Sequence, residues 1–170
     1  MIEQITCRAF LGFGGNLGAP LNSFRYARQQ LAEHPEIELI STSPLYQTPP
    51  VGGPEGQPDY LNAVIEIVTG LSALDLLQLC LQIEMDAGRS RHLHWGPRTL
   101  DIDLLLVGDL IMETPHLTLP HPRLHQRHFV LLPLYDLAPE LHHPVLKITI
   151  KQLLKALPDA VGITQLNKVW

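Results

Sequence analysis

Residues 61–107, LNAVIEIVTGLSALDLLQLCLQIEMDAGRSRHLHWGPRTLDIDLLLV, decide the fold. The opening LNAVIEIVTG alternates well enough for a strand. Ser72 holds an N-cap position, and the amphipathic run behind it predicts a helix ending at Gly88. A polar loop, RSRHLHWGPR (89–98), leads into TLDIDLLLVG (99–108), a strand with a leucine-rich end. Working outward, RAFLGF (8–13) predicts a short buried strand that runs into a turn at GGNLG (14–18), where glycine and Asn16 tolerate positive φ. A helix is expected from Asn22 or Ser23 to about residue 33, with Phe24, Ala27, Gln30 and Leu31 in helical steps. IELISTSPLYQ (37–47) reads as another strand, in which Pro44 marks an edge or a bulge. TPPVGGPEGQPDY (48–60) is too rich in proline and glycine to be anything but a loop. On the C-terminal side, residues 126–137 predict a helix that tolerates or breaks at Pro133, and the stretch from KITIKQLLKAL (147–157) onward says little. The order is strand, helix, strand, strand, helix, strand, with a further helix. That is the α+β, ferredoxin-like split βαβ arrangement, an antiparallel sheet with helices packed on its faces.

A chain of 170 residues fits one domain, and residues 1–170 are read as such, with a core large enough to need no disulfides. Hydrophobic residues make up 45% and charged ones 17%, which excludes a disordered chain. The 15 prolines and 12 glycines point to long shaped loops. Twelve basic and 17 acidic residues leave a net charge of −5, which argues against general binding to nucleic acid or anionic membranes. Cys7 and Cys80 have neither metal-ligand spacing nor the density of a secreted scaffold, so both are expected to be reduced packing residues. The N-terminal MIEQITCRAF lacks the basic start and apolar run of a signal peptide, and no apolar stretch is long enough to span a bilayer. The expectation is a soluble, cytoplasmic protein.

Asp101 and Asp103 stand two apart in a predicted strand, so their carboxylates share a face. Such a pair is either the solvated face of an ordinary strand or a seat for a divalent cation that relieves the repulsion; oxygen-only ligands suit magnesium. Just upstream lie Arg89, Arg91 and Arg98, with His92, His94 and Trp95 among them; downstream follow His121, Arg123, His125, Arg127 and His128. Each basic run alone suits a solvated loop. Together with the acidic pair they supply cations for phosphates and carboxylates for metal, which favours phosphoryl transfer. Tyr60 and Asn62, also two apart, offer a ring and an amide to a planar heterocycle, although core packing and a turn serve equally well for them. GFGGNLG (12–18) lacks the lysine and hydroxyl of a phosphate loop, the nine histidines match no zinc-hydrolase helix, and no nucleophile elbow is present.

Read in order, GGNLG, SPLYQTPPVGGPEGQPDYLNAV (43–64), IEMDAGRSRHLHWGPRTLDIDLLLVG (83–108) and LTLPHPRLHQRHFVLLPLYDLAPEL (117–141) resemble the 6-hydroxymethyl-7,8-dihydropterin pyrophosphokinases of folate synthesis. WGPRTLDIDLLL (95–106) is the most specific of these. The resemblance implies a ferredoxin-like fold and a monomer. It also implies transfer of the β,γ-pyrophosphate of ATP to the pterin hydroxymethyl oxygen, with release of AMP. Carried over by motif, Asp101 and Asp103 would hold two magnesium ions, and Arg89 and Arg98 would join them as catalytic residues. Gln82, Glu84, Arg89, Arg91, Trp95, Arg98, Thr118, His121 and Arg127 would form the ATP side. Thr48, Pro49, Tyr60, Asn62, Trp95 and Phe129 would form the pterin side, with Tyr60 and Phe129 against the ring. Loops 49–60 and 89–98 would act as lids over both substrates. A non-catalytic nucleotide- or pterin-binding regulator is the alternative reading of the same residues.

Overall fold

The computed structural model describes residues 5–88 and 99–170. The elements are β1 (Cys7–Gly15), α1 (Pro20–Ala32), β2 (Ile37–Thr42), β3 (Leu45–Thr48), β4 (Tyr60–Thr69), α2 (Ala73–Asp86), β5 (Asp101–Val107), β6 (Met112–Glu113), β7 (Thr118–Leu119), α3 (His128–Leu137), α4 (Ile150–Ala156) and β8 (Thr164–Leu166). One sheet runs β5-β1-β4-β3-β8, with β2 also paired to β4, and every pairing is antiparallel. β2 and β3 occupy one lane beside the ten-residue β4, so the strand–helix–strand, strand–helix–strand order is that of the ferredoxin-like fold.

Pro44 accounts for the interrupted lane. Proline cannot donate to a ladder, and Ser43 repairs the gap: its N–H donates to Val64 O at 2.8 Å and its hydroxyl accepts from Val64 N–H at 2.9 Å. Alternation splits the core into two layers. Leu11, Phe13, Ala63, Ile65 and Ile102 meet Phe24, Ala27 and Leu31 of α1 and Leu76, Cys80 and Ile83 of α2 on one face. Phe10, Val64, Leu105 and Leu106 meet Val130, Leu131 and Leu134 of α3 on the other, with Ile150 and Leu153 of α4 beyond. Ser72 caps α2 by accepting from Asp75 N–H at 3.1 Å, and Pro133 lies inside α3 without ending it. Cys7 and Cys80 are unpaired thiols; Cys80 is buried, and burial followed by the charges of Glu84 and Asp103 raises its pKa.

Two expectations need correction. α1 begins at Pro20 rather than Asn22 or Ser23, because proline suits the first helical position, where an N–H would have no intrahelical partner. GGNLG is not a turn as a whole: Gly14 and Gly15 complete β1, and the positive φ falls at Gly18 (+69°), not at Asn16. Asn16 is buried instead, its amide donating to Pro58 O at 3.1 Å and Gln57 Oε1 at 3.3 Å. Beyond α4, which carries a Thr149–Gln152 capping box, the chain returns as β8 and seats Trp170 in the core. Among the described residues no helix is long and apolar enough to cross a membrane.

Candidate active site

Strand register brings the acidic pair and the residues expected on the pterin side, Thr48, Tyr60 and Asn62, onto one face. Asp101 lies opposite Gly14, which lies opposite Asn62, which lies opposite Tyr46; Asp103 and Val64 flank Gly12 in the next row. Thr48 pairs with Tyr60, so it shares that face with Tyr46, Tyr60 and Asn62. Gly14 separates Asp101 from Asn62 and Gly12 separates Asp103 from Val64, and neighbouring side chains come close to both glycines. A Cβ on Gly14 would stand 3.3 Å from Asn62 Oδ1, and one on Gly12 would stand 3.4 Å from the Leu105 methyls. Neither glycine was singled out from sequence; their alternation with Leu11 and Phe13 is the signal that would have found them.

Asn62 is only 6% exposed and donates through Nδ2 to Thr48 Oγ1 at 2.7 Å. That bond fixes the amide orientation and leaves Oδ1 over Gly14, toward Asp101. Tyr46 donates its hydroxyl to Asp136 Oδ2 and so ties β3 to α3; burial, then Asp136, pushes its pKa up. At the N-terminal end of α3, the Arg127 guanidinium stacks 5.3 Å from the Phe129 ring centroid. Burial and neighbouring Arg123 lower the Arg127 pKa while Asp103 opposes them, so the guanidinium is within electrostatic reach of Asp103.

His121 is delivered to β5 by its backbone, with its N–H on Leu105 O at 2.9 Å. Its Nδ1 accepts from Arg123 N–H at 3.1 Å, which leaves Nε2 to carry the proton of the neutral ring. Burial first, then Arg127 and Arg123, pushes its pKa down to about 4. Thr118 sits three residues before it on β7, half-buried, where β7 runs beside β5.

Glu84 is 2% exposed in the last turns of α2 and accepts the Ile102 N–H at 2.7 Å. Ile102 lies between the two aspartates, so this carboxylate holds the backbone that aims them. Gln82 is exposed and donates to Asp86 Oδ1 at 2.8 Å. Pro49 is exposed at the end of β3, and half-buried Tyr60 opens β4. Loop 49–59 is held through Asn16 and through Gln57, whose amide donates to Gly52 O and Pro54 O, both at 3.3 Å. Arg89, Arg91, Trp95 and Arg98 lie outside the described residues, as does the rest of loop 89–98.

Among the described residues no three His, Cys, Asp or Glu side chains cluster as a closed metal site. Two carboxylates on one face of a strand nevertheless fit magnesium, which takes one or two protein carboxylates and fills its other positions with water and phosphate oxygens.

A family profile described as 7,8-dihydro-6-hydroxymethylpterin-pyrophosphokinase matches residues 10–139. A Pseudomonas aeruginosa protein named 2-amino-4-hydroxy-6-hydroxymethyldihydropteridine pyrophosphokinase is 43% identical over 137 residues, covering 81% of this chain and 84% of its own. A Bacillus subtilis protein of the same name is 40% identical over 162 residues, covering 95% and 89%. Among solved structures, the Plasmodium falciparum HPPK-DHPS A437G with STZ-DHP superposes with a TM-score of 0.70 at 18% identity. That match covers 91% of this chain but 46% of that one, and it speaks for the fold alone. Fold, site and relatives define an enzyme of the pyrophosphokinase class. Within it, the chain belongs to the 7,8-dihydro-6-hydroxymethylpterin-pyrophosphokinase family, as the sequence resemblance implies.

Proposed function

We propose that the protein transfers the β,γ-pyrophosphate of ATP to the hydroxymethyl oxygen of 6-hydroxymethyl-7,8-dihydropterin, in folate synthesis. The observation that supports this reading is the row Asp101–Gly14–Asn62, which sets a carboxylate and a buried amide on either side of one glycine, with Asp103 on the same face in the next row. A bond forms from the hydroxymethyl oxygen to Pβ, the bond between Pβ and the α,β-bridging oxygen breaks, AMP leaves with that oxygen, and the hydroxyl proton is released.

Asp101 and Asp103 would hold two magnesium ions, which when bound neutralise phosphate charge and align the reacting oxygens. Arg127, and Arg89, Arg91 and Arg98 from the preceding loop, supply guanidinium forks for the triphosphate. Thr118 offers its hydroxyl on the same side, and neutral His121 donates from Nε2 without adding a charge that Arg123 and Arg127 would repel. Gln82 and Glu84 belong to the ATP side by the family pattern, with Glu84 acting through the β5 backbone.

The Asn62 amide reads the polar edge of the pterin, Thr48 and Pro49 wall it, and Tyr60, Phe129 and Trp95 supply flat apolar faces. Bringing both substrates into one site replaces a bimolecular encounter by an oriented one. Loops 49–60 and 89–98 would exclude water from the pyrophosphoryl group and so suppress hydrolysis.

The test is Asp101→Asn and Asp103→Asn. Each keeps side-chain size and is expected to lower turnover at least roughly 100-fold, with a folded far-UV spectrum, since metal charge stabilisation supplies several kcal/mol. Turnover near wild type in either folded variant would remove the acidic pair from the chemistry.

A further inference from the structure

The chain beyond α4 contributes no group to the chemistry above, yet it meets Pro49 on one side of the proposed pterin pocket and His128, the neighbour of Phe129, on the other. β8 lengthens the sheet past β3, pairing Tyr46 with Gln165 and Gln47 with Thr164. Two residues before β8, Gly162 turns with φ +74°, and a Cβ there would stand 3.3 Å from Pro49 Cγ. Four residues earlier, the Pro158 carbonyl accepts from His128 Nε2 at 2.7 Å. His128 opens α3 and directly precedes Phe129. The far end of the segment is fixed independently. Trp170 is 4% exposed, packs 5.6 Å from the ring centroids of Phe13 and Phe24, and donates its indole N–H to Ser43 O at 2.8 Å. Val169 O accepts from Arg25 at 2.8 Å, and Trp170 O accepts from Arg28.

A flat heterocycle held between two rings needs faces about 7 Å apart, roughly two van der Waals contacts. Here the rings come from different elements: Tyr60 from β4, beside β3, and Phe129 from α3. Packing of Val130, Leu131 and Leu134 against Phe10 and Val64 seats α3 on the sheet, with Phe129 partly buried against the same cluster, but apolar packing alone carries no directional constraint on the spacing of the two rings. The Tyr46–Asp136 bond ties the body of the helix to β3, but Asp136 lies two turns beyond Phe129. The segment 158–166 reaches the start of the helix, where the ring is.

We propose that residues 158–166 form a strap that sets the separation of the two walls of the pterin pocket, with His128 as the positioning residue that carries the constraint to Phe129. The strap lowers the ordering cost of pterin binding and leaves the ATP side untouched. It rests on the pyrophosphokinase reading, so wild-type turnover is measured first: a wild-type protein that makes no pyrophosphorylated pterin counts against that reading rather than against the strap.

The experiment is fluorescence titration of the wild type and variants with the reduced hydroxymethylpterin, in the presence of a non-hydrolysable ATP analogue and magnesium, together with steady-state kinetics. His128→Ala should weaken pterin binding roughly two- to ten-fold, the range of one net hydrogen bond, with kcat and the ATP KM within two-fold of wild type. His128→Gln, which keeps an N–H donor, should restore most of the loss. Gly162→Ala, strained at positive φ and pressed on Pro49, should weaken pterin binding in the same selective way, and it carries the test if His128→Ala fails to fold. Equal losses on the ATP and pterin sides, no rescue by glutamine, or unchanged pterin binding in folded variants would each overturn the strap.

Discussion

Glu84 separates two accounts of one residue. By family pattern it contacts the nucleotide; by geometry it is a buried carboxylate holding the Ile102 N–H at 2.7 Å, midway between Asp101 and Asp103. Glu84→Ala removes the acceptor and leaves a buried donor. A hydrogen bond to a charged group contributes about 1.5–3 kcal/mol, and removing the carboxylate also relieves part of its own desolvation. The expected net loss is about 1–3 kcal/mol, read as a lower urea midpoint at unchanged slope. Release of Ile102 also lets the start of β5 drift, and a displacement of about 1 Å at reacting groups can cost roughly 100-fold. The drop should therefore appear in kcat more than in the ATP KM. Glu84→Gln keeps an acceptor oxygen and should stay within about 1 kcal/mol of wild type, with most activity retained. An alanine variant as stable as wild type to within about 0.5 kcal/mol, the usual spread for inert substitutions, would refute the reasoning. A higher ATP KM alone in both variants would restore the direct nucleotide contact.

Asn62→Ala should raise the pterin KM roughly 10- to 100-fold, because a buried polar partner for the heterocycle is lost, while the ATP KM stays within two-fold; equal shifts in both would contradict its assignment. Trp170→Ala deletes a buried ring packed against both Phe13 and Phe24 and should cost about 3–5 kcal/mol in chemical denaturation. His121 gives a pH signature. Its folded pKa of about 4 lies below the unfolded 6.5, so the unfolded state binds the extra proton between these values. Its contribution is fully present above about pH 6.5 and declines as pH falls toward 4, by on the order of 2–3 kcal/mol. His121→Gln should flatten the decline in denaturation midpoints over that window; an unchanged slope would contradict a buried neutral imidazole.

The elements with unambiguous periodicity are legible in the sequence: β4, α2 and β5 follow from LNAVIEIVTG, the Ser72 cap and DIDLLLV, and together with the strand at 8–13, the helix after it and the strand at 37–47 they give the ferredoxin-like order. The shared face of Asp101 and Asp103 follows from period two alone. That Asn62 stands in the same row as Asp101 across Gly14 does not, because the register between β4, β1 and β5 joins segments far apart in sequence. GGNLG misled for a related reason. Glycine in a strand and glycine in a turn look alike locally, and only the close approach of Asn62 Oδ1, 3.3 Å from where a Cβ on Gly14 would stand, shows why the strand carries glycine there. The C-terminal stretch carried a readable signal in its Thr149–Gln152 capping box, whereas β8 is three residues long and Trp170 is isolated, so neither makes a pattern.

The central claim is the pairing of a triphosphate-activating acidic row with a pterin site, and nucleotide product analysis tests it most directly. The protein is incubated with ATP, magnesium and the reduced hydroxymethylpterin, and each is omitted in turn. The account predicts AMP and a pyrophosphorylated pterin in equal amounts, in the complete mixture only. ADP as the nucleotide product, AMP formed without the pterin, or tight binding of both ligands with no AMP would contradict it, the last result making the chain a binding protein.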